Sequence, residues 1–84
     1  MAAFDQFVDD VDRRLQTSVT ANYGIYRGPH VAYWHCGDRT ARLRSGERDD
    51  VLLDGDVTAT VHAACDEASV DTIVANLVEF LTGS

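Results

Sequence analysis

Lysine is absent from this chain. All seven basic residues are Arg, and they face fourteen acids, eleven of them Asp, for a net charge of -7. Asp in excess with no Lys is the composition of a salt-loving, haloarchaeal cytoplasm, where a hydrated acidic surface keeps proteins in solution at molar salt. A GC-rich genome also favours Arg over Lys codons, but coding bias does not account for the acidity. Net charge speaks to solubility and partners rather than to fold. Such a surface repels nucleic acid and anionic membranes unless its few bases are gathered together, and here they are. Arg27, Arg39, Arg42, Arg44 and Arg48 fall within residues 27–48 beside only Asp38 and Glu47, so that window carries +3 and the remainder -10. Blocks of one sign usually form a solvated face, and this one is the clearest asymmetry in the chain.

Other scarcities narrow the field. The sequence holds two Cys, and its start, Met1-Ala2-Ala3-Phe4-Asp5, lacks the basic opening and apolar run of a secretion signal. Reduced thiols and a cytoplasmic location are expected. No apolar stretch reaches membrane-spanning length, so no membrane association is expected. Repeats, linkers and low-complexity segments are missing. The 84 residues, 45% of them apolar, make one domain over 1–84 near the lower size limit for a self-sufficient core. Self-association would bury more surface, and a homodimer is the expectation.

The stretch Gly28–Arg44 concentrates what is rare: Trp34, Pro29, His30, His35, Cys36 and three Arg. It reads as a β-hairpin from about His30 to Arg44. Gly37-Asp38 supplies a two-residue turn with Gly at the first, positive-φ position. That turn sets Cys36 opposite Arg39, His35 opposite Thr40, Trp34 opposite Ala41, Tyr33 opposite Arg42, Ala32 opposite Leu43 and Val31 opposite Arg44. Opposite residues share a face. Ala32, Trp34, Cys36, Ala41 and Leu43 then form a core face, and Val31, Tyr33, His35, Thr40, Arg42 and Arg44 form the outer one. A one-residue slip would mix the two sets, so the apolar partition supports the register.

Around the hairpin, Phe4, Phe7, Val8, Val11, Leu15 and Val19 line one side of a helix over 4–19. Asp5, Asp9 and Asp10 sit early and Arg13 and Arg14 late, as the helix dipole favours, with Asp9–Arg13 and Asp10–Arg14 spaced as i,i+4 pairs. Tyr23–Arg27 is a short optional first strand, because Gly24 and Gly28-Pro29 bracket it closely and Pro29 marks a strand start or a sheet edge. After a polar loop over Ser45–Asp50, Val51–Leu53 and Val57–His62 are strands around an Asp54-Gly55-Asp56 turn. In the second of these, Val57, Ala59 and Val61 face the core, and Thr58, Thr60 and His62 face outward. A final helix begins with Ser69 as N-cap and Asp71 in its first turn. It carries the stripe Val70, Ile73, Val74, Leu77, Val78 and Leu81, and ends at Gly83.

The fold class is therefore α+β. The sequence predicts a two-layer helix–sheet sandwich in the order α-(β)-β-β-β-β-α, with an antiparallel sheet of three or four strands and both helices on one face. This order is similar to that of type III secretion chaperones and other small helix–sheet–helix dimers. The likeness is one of fold, with no shared motif, and implies no function.

Several chemistries find little support. His30, His35, Cys36, His62 and Cys65 are zinc-ligand types, but no CxxC pair exists and adjacent His35 and Cys36 point to opposite faces of a strand. His35 and His62 on the outer face have no third ligand in view. Cys36 beside Trp34 reads as a small hydrophobe. Nothing near His62 and Cys65 marks an oxyanion site. No Ser elbow, phosphate-cradling Gly loop or HExxH helix is present. The pairs Asp9-Asp10 and Asp49-Asp50 read as surface hydration in so Asp-rich a chain. No metal, no cofactor and no enzymatic activity are expected.

The outer sheet face is the candidate site, with Tyr33, His35, Arg42, Arg44 and His62 as its binding residues. It can be read as a dimer or protein-partner face that buries Tyr33 and Val31, or as a surface for an acidic partner or small anion using the planar Arg fork. It can also be read as a stacking platform for single-stranded nucleic acid. The plainest reading is a cross-strand cation–π pair between Tyr33 and Arg42 on a solvated face. The expected function is a non-enzymatic interaction or regulatory module that dimerises. Nucleic-acid or anionic-ligand binding stands second, because molar salt screens phosphate contacts.

Overall fold

Phe4, Phe7, Val8, Val11 and Leu15 recur at helical spacing and are all buried along α1 (Ala3–Ser18). The computed structural model describes residues 3–19, 22–47, 50–55 and 58–82. After α1 come β1 (Gly24–Arg27), β2 (Val31–Cys36), β3 (Arg39–Ser45), β4 (Asp50–Gly55), β5 (Thr58–Ala64), a 3₁₀ turn (Glu67–Ser69) and α2 (Val70–Thr82). The α+β class holds: one antiparallel sheet and two helices.

The sheet has five strands, in chain order β1-β2-β3-β4-β5, rather than three or four. The added strand is Gly24–Arg27, all of which pairs with β2. Its brackets do not prevent this. Pro29 lies in the turn, where its missing N–H removes no ladder bond, and Gly28 N–H closes the turn onto Val31 C=O at 2.8 Å.

The β2–β3 register is the one that the Gly37-Asp38 turn dictates, in all six pairs from Val31↔Arg44 to Cys36↔Arg39. Gly37 has φ +64, a left-handed conformation that costs Gly nothing and a β-carbon about 1 kcal/mol. One sheet face is consequently apolar. Ala32, Trp34, Ala41, Leu43, Val51 and Leu53 are fully buried on it, in one core cluster with the stripes of both helices. Cys36 is half-buried against that cluster. Each fully buried Leu or Val side chain is worth roughly 1.5–3 kcal/mol of transfer free energy.

The α2 stripe departs from expectation at one position. Phe80 is buried and Val78 only half-buried. Gly55 makes room for the ring: a Cβ there would sit 2.5 Å from Phe80 Cε1. The approach to α2 also differs. Asp66, not Ser69, is the cap, its Oδ1 accepting from Ser69 N–H at 3.0 Å, so helical winding begins at Glu67.

The i,i+4 ion pairs expected within α1 give way to others. Arg13 pairs with Asp10 at i,i+3, Arg14 reaches Asp71 of α2, and Arg27 of β1 takes Asp9. For Arg14 and Asp9, partners brought close by the fold outcompete exposed local pairs that are each worth only a few tenths of a kcal/mol, while Arg13 exchanges one local partner for another. Several expectations lie outside the described residues: those for Arg48, Asp49, Asp56, Val57 and Gly83, and for the side chains of Thr58 and Ala59.

Candidate interaction surface

The face of the sheet turned away from the helices holds no fully buried residue among those described. The pairings arrange it in cross-strand rows. Tyr26, Tyr33, Arg42 and Asp54 lie opposite one another across β1, β2, β3 and β4, and Val31, Arg44, Leu52 and His62 form a second row across β2 to β5. His35 stands two residues along β2 from Tyr33, facing Thr40.

Aromatic rings connect along this surface. Tyr26 and Tyr33 are tilted neighbours with centroids 6.0 Å apart, and Tyr33 lies nearly parallel to the His35 ring at 6.3 Å. His35 Nδ1 is 3.2 Å from Thr40 Oγ1. Tyr33 is half-buried while Tyr26, at the sheet edge, is 62% exposed. The rings thus form a strip that begins in the sheet and ends at its open margin.

Next to the strip, one carboxylate offsets part of the charge of two guanidinium groups. Arg42 donates from Nε and Nη2 to the two carboxylate oxygens of Asp54, at 3.0 and 2.9 Å, and Arg44 Nη2 adds a bond to Oδ2 at 3.2 Å. A two-pronged guanidinium–carboxylate pair is the strong form of this contact. The hydrogen bond from Arg42, against the opposing effect of partial burial, holds the Asp54 carboxyl below its ordinary range. The same bond raises the Arg42 guanidinium further above its own. No cation–π pair between Tyr33 and Arg42 is found among the described residues: the guanidinium is held by Asp54, with the Tyr33 side chain as a weaker partner, and the Tyr33 ring lies against Tyr26 and His35.

Four of the five residues singled out, Tyr33, His35, Arg42 and Arg44, come together on β2 and β3. The fifth does not join them. His62 is exposed on the same face but opposite Leu52, three strands from Tyr33, or about 14 Å at the usual strand spacing. Two members were missed. The sequence pattern puts Asp54 in a turn, whereas β4 continues through Gly55 and pairs Asp54 with Arg42. The alternation after buried Leu53 was the clue that an Asp-Gly-Asp turn pattern masked. Tyr26 was missed because its strand was optional.

The helix side offers a different environment. A cavity of about 420 Å³ lies between α1 and the start of the 3₁₀ turn, lined by Gln6, Phe7, Asp10, Cys65, Asp66 and Glu67 among others. His35 and Cys36 do part to opposite faces, His35 exposed and Cys36 packed against the core. No helix is long and apolar enough to cross a membrane among the described residues. Compared with known proteins, the chain matches no family model, and neither a curated protein nor a solved structure matches it at a significant level.

Proposed function

We propose that this chain is a non-enzymatic interaction module of a salt-rich cytoplasm, working as a homodimer and recognising a protein partner through the open face of its sheet. The observation that carries this reading is the Tyr26–Tyr33–His35 strip lying beside the hydrogen-bonded Arg42–Asp54–Arg44 cluster on the face turned away from the helices. Tyr and Arg are residue types enriched at protein interfaces, and Asp54 offsets part of the charge that the two Arg would otherwise carry into one. Replacing Tyr33 by Ala should weaken the complex with that partner, isolated from source cells at native salt, while the far-ultraviolet spectrum stays unchanged. Unaltered capture of the same partner by the variant would refute the reading.

Single-stranded nucleic acid is the second reading, favoured by one observation: Tyr26 presents a mostly exposed ring next to two others, on which bases can stack. Against it, Asp54 occupies the guanidinium groups that would hold phosphate. Labelled oligonucleotides at low salt separate the two readings. Binding that strengthens on Asp54→Asn, with a steeper salt dependence, would favour nucleic acid.

A further inference from the structure

Strand β1 is the margin of the sheet, and its backbone has a determinable polarity. Gly28 N–H donates to Val31 C=O, and the register places Gly28 opposite Val31 in continuation of Tyr26↔Tyr33 and Gly24↔His35. Amide and carbonyl of one residue point to the same side, and the side alternates along a strand. Gly24 and Tyr26 therefore spend their backbone groups on β2, while Ile25 and Arg27 turn theirs outward. All four β1 residues are exposed. Ile25, at 41%, and Tyr26, at 62%, are the large apolar side chains left exposed among the described residues. Unpaired N–H and C=O groups on an exposed edge are a template for pairing with another strand. Here the one charge, Arg27, is turned toward α1, bonded to Asp9 and to the carbonyl of Asp5.

We infer that β1 pairs antiparallel with β1 of a second copy, about a twofold axis through Tyr26, to make one continuous ten-stranded sheet. The twofold keeps the helix faces of both copies on the same side, so opposite residues must share a face. Every residue-centred register meets that condition, and those centred on Ile25 or on Tyr26 pair the most of β1, three residues with three. The Tyr26-centred one lets Ile25 exchange both its backbone bonds with Arg27 of the second copy, and symmetry repeats the exchange. It also brings the two Tyr26 residues face to face as a non-hydrogen-bonded pair, the closer kind, with Cα atoms about 4.5 Å apart. The aromatic strip of one copy then runs into that of the other. No carboxylate lies on β1, so the seam itself sets no acids together. The overall charge of -7 on each copy opposes association at low salt, and molar salt removes that opposition. A seam that pairs three β1 residues of each copy belongs to the small, weak class of interfaces, so monomer and dimer are in exchange.

This inference rests on the reading of the chain as a homodimer, and the test separates the two. Sedimentation from micromolar to millimolar protein, at low and at molar KCl, should show a dimer that tightens with salt. Ile25→Pro removes an outward N–H and leaves the β1–β2 ladder whole. It should weaken the dimer roughly tenfold to a hundredfold, with Trp34 fluorescence unchanged. Should that variant not fold, Tyr26→Cys reports on the seam directly. Mild oxidation should join position 26 to position 26, whereas Ile25→Cys should not self-link efficiently. A wild-type chain that stays monomeric throughout overturns both the inference and the homodimer. A wild-type dimer that Ile25→Pro leaves equally tight, or that links through position 25 rather than 26, overturns the inference alone.

Discussion

Trp34 donates its indole N–H to Asp12 Oδ1 across 3.3 Å, tying the buried centre of the sheet to α1. The ring is fully buried, so the bond satisfies a donor that has no access to water. Asp12→Ala should cost about 1–3 kcal/mol, the price of an unsatisfied buried donor. Asp12→Asn, which keeps an acceptor oxygen, should cost less. Urea unfolding followed by Trp34 emission measures both, and equal stability of Asp12→Ala and wild type would refute the role given to this bond.

The same carboxylate oxygen accepts from the Tyr23 hydroxyl at 3.2 Å. Burial first, then the Asp12 charge and the hydrogen bond, push the Tyr23 phenol up from 10.0 to about 12. The stability it contributes is present in full below 10.0 and is lost as pH rises through about 12, because the unfolded chain releases this proton first. Tyrosinate absorbance should show a late-titrating component in wild type that Tyr23→Phe removes, and Tyr23→Phe should flatten the alkaline fall in unfolding midpoint.

For Asp54 the sign is reversed. Its carboxyl lies below 3.8 in the folded chain, so its contribution is whole above that value and disappears as pH falls through the folded value. The Arg42 side chain is 41% exposed and that of Asp54 17%, which limits the pair to about 1 kcal/mol after solvent screening. Asp54→Asn should lower stability by about that much near neutral pH and flatten the acid limb of the stability curve. A curve of unchanged shape would count against the pairing.

Glycine substitutions should divide by position. At Gly55 a β-carbon meets Phe80 Cε1 at 2.5 Å and Thr40 O at 3.0 Å, and at Gly24 nothing lies within 4 Å. Gly55→Ala is expected to destabilise by about 1–3 kcal/mol through overpacking. Gly24→Ala should be neutral or stabilising by up to about 1 kcal/mol, through the entropy of the unfolded chain. Thermal unfolding of the two variants side by side is sufficient to check this.

What was legible in the sequence was local. The Gly37-Asp38 turn and the alternation beside it determine a register, and with it which of Trp34 and Tyr33 is buried. Helical spacing likewise marks the α1 stripe. Less legible were features that depend on a neighbour distant in the chain. Asp54 belongs with Arg42 only because β4 runs two residues past the point where a turn pattern begins. Phe80 is buried rather than Val78 because Gly55, on a strand beneath α2, leaves space for a ring. Arg14 chooses Asp71 over Asp10 because α2 packs alongside α1. His62 carries the right chemistry on the right face, but strand order puts it three positions away. Periodicity assigns a residue to a face; it does not say which residues on that face touch.

The chain-order sheet also has a consequence for synthesis. β2 to β5 each pair with the strand just made, so the sheet can assemble as it leaves the ribosome. α1 cannot complete its packing in the same way. Its stripe of Phe4, Phe7, Val8, Val11 and Leu15 emerges first, yet α2 packs beside it only after Val70 has been made. At ordinary elongation rates that is a wait of roughly 3–10 s. During it, the most apolar surface of the N-terminal segment has only an unfinished sheet to rest on, and a newly made chain at that stage is the form most exposed to chaperones and to aggregation.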